Sequence, residues 1–393
     1  MDIKKLATDV LDEVIKWRRD LHQIPEIGQN LPQTSEYVCN VLDELGISYK
    51  KGVGLDSAIV GVIEGGKGPG KTLALRADMD ALEIEEETGL PFASTNGNMH
   101  ACGHDGHTAI LLGAAKVLND IKDEFAGKVV LLFQPAEEIS AGAEPMVKAG
   151  ALEGVDAVMG IHVGSISTQG EPGTILFSKG SMMACLDRWT LKIKGVGAHG
   201  AYPHNGRDPI VMAGKFIESV QTVISRELDP VDPGVITIGM VNAGTAYNII
   251  PGEVNIEGTA RAVKQETREF IAKRIGEIAE SIAKVSGGSV EYDYIFGAPP
   301  VINDAEFTTL AMESATKVLG EENVELMANP VMGGEDFAYY LEEVPGTFAF
   351  LSTPLAIDGT IYPHHNSRFA LDEEQFDKGV AVFVQTALDY FNK

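Results

Sequence analysis

Eleven residues, Asn98 to Thr108 (NMHACGHDGHT), hold Cys102, Asp105 and three histidines in a chain with only three cysteines and nine histidines among 393 residues. Cys102 and His104 stand two apart. Glu137 and Glu138 are adjacent in FQPAEE, His162 lies in GIHV, and His364 and His365 sit near the C-terminus. Together these residues form a ligand inventory. Thiolate, imidazole and carboxylate suit zinc, manganese, cobalt or nickel, and the donors outnumber what one tetrahedral ion takes, which favours two ions sharing a bridging ligand. Such a pair can clamp a water and a carbonyl. Each residue alone has a plainer reading: a buried inert thiol, a core histidine, a solvated acidic turn. Their common placement gives them weight.

That placement comes from the elements. TLALRAD (72–78), VVLLFQPAEE (129–138) and AVMGIHV (157–163) each read as a buried strand, and HTAILLGAAKVL between the first two reads as a helix. The alternation argues for an α/β sheet, in which ligands gather beyond the carboxyl ends of the strands. Asp78 and Asp80 follow the first run, Glu137 and Glu138 the second, and His162 ends the third. Upstream, Leu6, Val10, Val14, Trp17 and Leu21 predict one amphipathic helix ending before Pro25.

From Cys185 the pattern changes to alternating strands. A helix starting at Asp208-Pro209 should bury Ile210, Ala213, Ile217, Val220 and Ile224, and a second ends at Gly287-Gly288. This reads as a βαββα-like inserted domain. The predicted division is 1–184 and 297–393 for a catalytic domain in two parts, with 185–296 inserted between them.

A chain 44% hydrophobic with mean hydropathy +0.02 can bury a large core. Its net charge of -26 repels polyphosphate and anionic lipid, so nucleic acid and membrane are excluded as expected partners. No export signal or membrane-length apolar run is visible, and a cytoplasmic location is expected. An odd number of widely spaced cysteines argues against a disulfide framework.

Seven segments in order, RRDLHQIPEIG (18–28), LRADMDALEI (75–84), MHACGHDGHT (99–108), FQPAEE (133–138), GIHV (160–163), GAHGAYPH (197–204) and HHNSRF (364–369), resemble the amidohydrolase branch of the di-metal aminoacylase and carboxypeptidase family. That branch includes hippurate hydrolases, N-acyl-amino-acid deacetylases and plant auxin-conjugate hydrolases. The resemblance implies an α/β fold: a mixed-sheet catalytic domain of the di-metal exopeptidase type with an inserted ferredoxin-like α+β lid, through which a homodimer forms. It implies two divalent ions per subunit, Mn2+ or Zn2+ with Co2+ or Ni2+ as further options, and as metal ligands Cys102, His104, Glu138, His162 and His365. Cys102 takes the bridging place where relatives outside this branch use an aspartate.

On the same resemblance Glu137 is general base and acid, and Asp78 is preferred over Asp80 as the orienting carboxylate. His199, Asn248 and Arg261 correspond to substrate contacts. His364 is a neighbour of the ligand His365 that supports the centre from outside the ligand set, His107 and His204 take structural places, His22 and His100 have no assigned role, and neither has the Glu335-Asp336 pair. The chain departs from the family at Glu83, where proline is usual.

The expected function is hydrolysis of an N-acyl amino acid. Alternatives are a metallocarboxypeptidase or dipeptidase on short peptides, or an N-acetyl-diaminopimelate deacetylase. A thiol hydrolase using Cys102 is disfavoured because a histidine two residues away would have to double back to activate it. A non-catalytic metal-stabilised binding protein would have no need of Glu137.

Overall fold

The computed structural model describes residues 1–165 and 170–393. The chain divides into two compact units, one comprising 1–182, 302–329 and 336–393, the other 183–301 and 330–335.

The larger unit is built on an eight-stranded mixed sheet. At its centre Lys128–Gln134, Thr72–Asp78, Ala157–Gly164 and Gly346–Ser352 lie side by side, all parallel. These strands are apolar on both faces because helices cover them, including His104–Asp120 and Phe376–Phe391. Parallel strands end on the same edge. Asp78 is therefore paired with Gln134, and the turn carrying Glu137 and Glu138 begins beside it.

The three strand expectations hold with small changes. The second strand stops at Gln134, because Pro135 cannot donate to the ladder and Ala136 turns into the left-handed region at φ 63°. The third runs two residues beyond His162, to Gly164. The single N-terminal helix is two, Ile3–Asp9 and Leu11–His22, divided at Val10. The apolar period survives because both pieces pack on the same core.

The smaller unit is a four-stranded antiparallel sheet ordered Gly234–Ala243, Glu253–Ala262, Asp187–Lys194, Ser289–Ile295. With helices Pro209–Thr222 and Gln265–Ser286 on one face it has the βαββαβ connectivity of a ferredoxin-like domain. The Asp208 carboxylate accepts the N–H groups of Ile210 and Val211 and caps the first helix, a contact worth about 1 kcal/mol. That helix buries Met212, Ala213, Phe216 and Val220 around Trp189, leaving Ile210 exposed. The stripe is rotated from the expected one because Met212 and Phe216 fill the core. The final strand was missing from the expected pattern: SVEYDYI alternates polar and apolar residues, with a half-exposed inner face.

Among the described residues no helix is long and apolar enough to cross a membrane.

Candidate metal centre

The metal-ligand candidates converge at the carboxyl edge of the parallel strands. Cys102 precedes the helix His104–Asp120 and His104 is its first residue, so the two flank a turn at Gly103 with φ 92°. A side chain at Gly103 would press on Val163 at 3.0 Å, so close approach of this turn to the neighbouring strand also favours glycine.

Two triads share the Cys102 sulfur. Cys102, His104 and His162 each place a donor atom within 4.8 Å of the others, and so do Cys102, Glu138 and His365. Cys102 Sγ is 3.5 Å from His162 Nε2, and His365 Nε2 is 3.4 Å from Glu138 Oε2. Two ligands of one tetrahedral ion stand about 3.4–3.6 Å apart, given metal–ligand lengths of roughly 2.0–2.3 Å. The donor atoms are thus spaced as co-ligands.

The imidazole tautomers agree. His162 Nδ1 donates to the Val163 carbonyl at 2.8 Å, leaving the Nε2 lone pair facing the sulfur. Both ring nitrogens of His104 and Oε1 of Glu138 are buried without a hydrogen-bond partner among the described residues. His104 Nε2 has carboxylate oxygens of Asp78, Glu138 and Glu137 at 3.7, 3.8 and 3.9 Å, too far to satisfy it. Buried polar groups left this way cost free energy unless a cation engages them. The donor set fits two divalent ions.

The family model of peptidases M20/M25/M40 matches residues 74–389. The chain belongs to this peptidase family. It is 39% identical to thermostable carboxypeptidase 1 of Saccharolobus solfataricus over 100% of this chain and 99% of that protein. It is 40% identical to N-acetyl-L-cysteine deacetylase of Bacillus subtilis, over 95% of this chain and 87% of the relative. A Bacillus subtilis crystal structure described as a dinuclear metal-binding peptidase of family M20 superposes with TM-score 0.85 at 35% identity, covering 98% of this chain and 99% of the other. The M20 fold, a metal-dependent hydrolase of amide or peptide bonds and a centre for two divalent metals follow together.

Electrostatics in the M20 centre favour ligation over thiol chemistry. Burial, reinforced by Glu138, pushes the Cys102 thiol well above its ordinary pKa, against the opposing pull of His104. Without a cation it stays protonated, and a protonated thiol is a poor nucleophile. Burial together with His107 and His364 holds His162 well below the usual histidine range, in the neutral form a metal requires.

Asp78 and Asp80 take different places. Asp78 accepts Arg76 Nη1 at 2.6 Å and His107 Nδ1 at 2.5 Å, and burial is outweighed by Arg76, His104 and His107, which keep its carboxyl well below the ordinary range. Asp80 accepts the backbone N–H groups of Glu137 at 3.0 Å and Glu138 at 3.1 Å, and its Oδ1 lies 3.4 Å from His104 Nδ1. Asp78 is the carboxylate preferred from the sequence as the orienting group; the hydrogen bonds place Asp80 against the turn that carries Glu137 and Glu138. Asp78 is occupied by Arg76 and His107, whereas of the two aspartates it is Asp80 that accepts from the turn carrying Glu137.

His107 has both nitrogens engaged, Nδ1 by Asp78 and Nε2 by the Val163 N–H at 2.8 Å. His364 Nε2 accepts the Ser165 N–H at 3.0 Å, so its Nδ1–H faces Cys102 Sγ at 3.7 Å, a donor to the sulfur rather than a ligand. Gly164, at φ 118°, permits this: a Cβ there would lie 2.3 Å from the His364 ring. His365 also sits at positive φ, 63°, its N–H held by the Ala101 carbonyl at 2.9 Å.

The three substrate candidates lie in the smaller unit. His199 pairs with Ile249 across a short ribbon, and Gly200 N–H donates to the Asn248 carbonyl at 2.9 Å, so His199 and Asn248 are neighbours, both exposed. Arg261 is elsewhere on that unit, its guanidinium on the carbonyls of Ala260 and Asp187 at 2.9 and 3.4 Å.

Two buried networks escaped the sequence reading. His22, without an assigned role there, sits between Asp105 at 2.7 Å and Glu86 at 3.1 Å, with Arg18 also on Asp105 at 2.7 Å. Arg76, Gln134 and Asp336 join Asp78 beneath the strand ends. An arginine inside an otherwise apolar strand, TLALRAD, was the signal for the second. Removing one partner of such a buried ion pair costs about 3–5 kcal/mol. His100 is buried with both nitrogens unpartnered among the described residues, and burial lowers its pKa to about 3.

Proposed function

We propose that this M20 member hydrolyses the amide bond of N-acyl amino acids, releasing the free amino acid, with Cys102, His104 and His162 holding one ion and Cys102, Glu138 and His365 the second. The observation that carries this reading is the pair of triads sharing one sulfur, with Glu137 next to the ligand Glu138. Divalent cations bound there, Mn2+ or Zn2+, supply Lewis-acid activation of a water and of the scissile carbonyl. Glu137 accepts the proton of the attacking water and returns it to the leaving nitrogen. Asp80 orients His104 and fixes the Glu137-Glu138 turn. His199 stabilises the developing oxyanion with Asn248 beside it as a substrate contact, and Arg261, elsewhere on the smaller unit, is a separate contact to the substrate carboxylate. The chain acts in the cytoplasm as a homodimer joined through its smaller unit.

The named relatives divide between deacylation and carboxypeptidase activity. N-acyl amino acids are favoured because the deacetylase and N-acyl-L-amino acid amidohydrolase relatives match at 40% and 41% identity. A panel of N-acyl amino acids and dipeptides on metal-reconstituted protein tests this. The reading requires kcat/KM for the best N-acyl amino acid to exceed that of every dipeptide; the reverse order makes the protein a peptidase.

A further inference from the structure

The loop from Pro135 to Gly142 carries Glu137 and Glu138 and departs from relaxed backbone at two non-glycine residues, Ala136 at φ 63° and Ser140 at φ 51°. Such conformations persist only where the surroundings over-determine them. Asp80 holds one side of the loop through the N–H groups of Glu137 and Glu138. The other side ends on Asp336. One oxygen of this fully buried carboxylate accepts the N–H groups of Gly142 at 3.2 Å and Ala143 at 3.0 Å. Its second oxygen accepts Arg76 Nη2 at 3.0 Å and Gln134 Nε2 at 2.7 Å.

Gln134 is the last residue of the strand that launches the loop, and Arg76 is anchored on Gln134 Oε1 at 2.9 Å and on Asp78. Asp336 therefore ties the exit of the loop to its entry. The closure is tight, since a Cβ at Gly142 would lie 1.8 Å from the Pro135 carbonyl oxygen. Asp336 also places a carboxylate oxygen within 4.8 Å of one from Glu137.

We propose that Asp336 is a positioning residue for Glu137: it clamps both ends of the loop so that the base is presented at one fixed place. This rests on the reading of Glu137 as the base. Arg76 and Gln134 are the supports through which Asp336 is itself held.

The test compares Asp336→Asn with wild type in metal-loaded protein. An amide at this position cannot accept from both pairs of donors, because its nitrogen must face one of them. The expected result is two metal ions retained per chain, KM within about threefold, and kcat lowered about 100-fold, the size expected for a misplacement of roughly 1 Å. Hydrogen exchange at Gly142 and Ala143 should quicken while the central strands keep their protection. Turnover within about twofold of wild type despite quickened exchange overturns the proposal, as does a loss of kcat that only follows loss of metal. Gln134→Met removes one donor to Asp336 and the acceptor of Arg76 Nε but leaves the Arg76–Asp336 ion pair in place, and is the second variant should Asp336→Asn not fold. It should lower kcat about tenfold at unchanged metal content, and an unchanged kcat contradicts the clamp. The exchange readout does not depend on Glu137 being the base, so failure of that reading is separable from failure of the clamp.

Discussion

Cys102 Sγ lies 3.5 Å from Nε2 of His162, a nitrogen whose partner Nδ1 is committed to the Val163 carbonyl. The sulfur is common to both triads. Cys102→Ser should therefore disturb both sites at once and reduce bound metal below two ions per chain, measured by elemental analysis after gel filtration. Full occupancy in that variant removes the thiol from the ligand set.

The two aspartates at the strand end should separate by readout. Asp78→Asn leaves Arg76 partly unpaired in the interior and should destabilise the fold by about 3 kcal/mol, seen in urea unfolding. Asp80→Asn loosens the Glu137-Glu138 turn and should reduce kcat about 100-fold, with a smaller stability cost. The opposite assignment of effects would restore Asp78 as the orienting group.

Gly164→Ala places a methyl group against the His364 ring and asks alanine to adopt φ 118°. A loss of about 2 kcal/mol or more is expected, from strain and overpacking together. Unfolding midpoints unchanged from wild type would mean that His364 is not packed as described.

The His22 ring faces a carboxylate at each nitrogen, with Arg18 as the nearby opposing cation and His100 a neighbouring imidazole. Burial and Arg18 push its pKa down, but Asp105 and Glu86 win and raise it. A raised folded-state pKa stabilises the fold fully below the unfolded value near 6.5, and that contribution fades as pH rises through the folded value. Glu86 is lowered, burial being outweighed by His22, Thr88 and Ser94, so its contribution is present above the unfolded value and fades in acid. Urea titrations of wild type and His22→Phe should diverge most on the acid side of neutrality and converge at alkaline pH. Parallel curves across that range rule this pair out as a source of pH-dependent stability.

The candidate ligands were legible because imidazole and paired carboxylate are rare at the ends of apolar strands, where Glu138 and His162 stand, and because Cys102 and His104 form a C-x-H pair in a chain poor in both residue types. Asp80 was not separable from Asp78 by pattern: they stand two apart, and only the turn after the strand decides which faces Glu137. Arg76 stood out as a charge inside an apolar strand, but its pairing with Asp336 was illegible because the contact joins positions 260 residues apart. Likewise Ser289–Ile295 went unrecognised because its alternation is that of an exposed edge strand, while Val10 divides a helix whose apolar stripe continues undisturbed.

Whether Glu137 moves the proton at the di-metal centre is decided by turnover and metal content of Glu137→Gln. Two ions bound as in wild type and a fall in kcat of at least about 10³-fold are expected, the scale of losing a general base on an activated water. Turnover within about tenfold of wild type at full metal content would contradict that role.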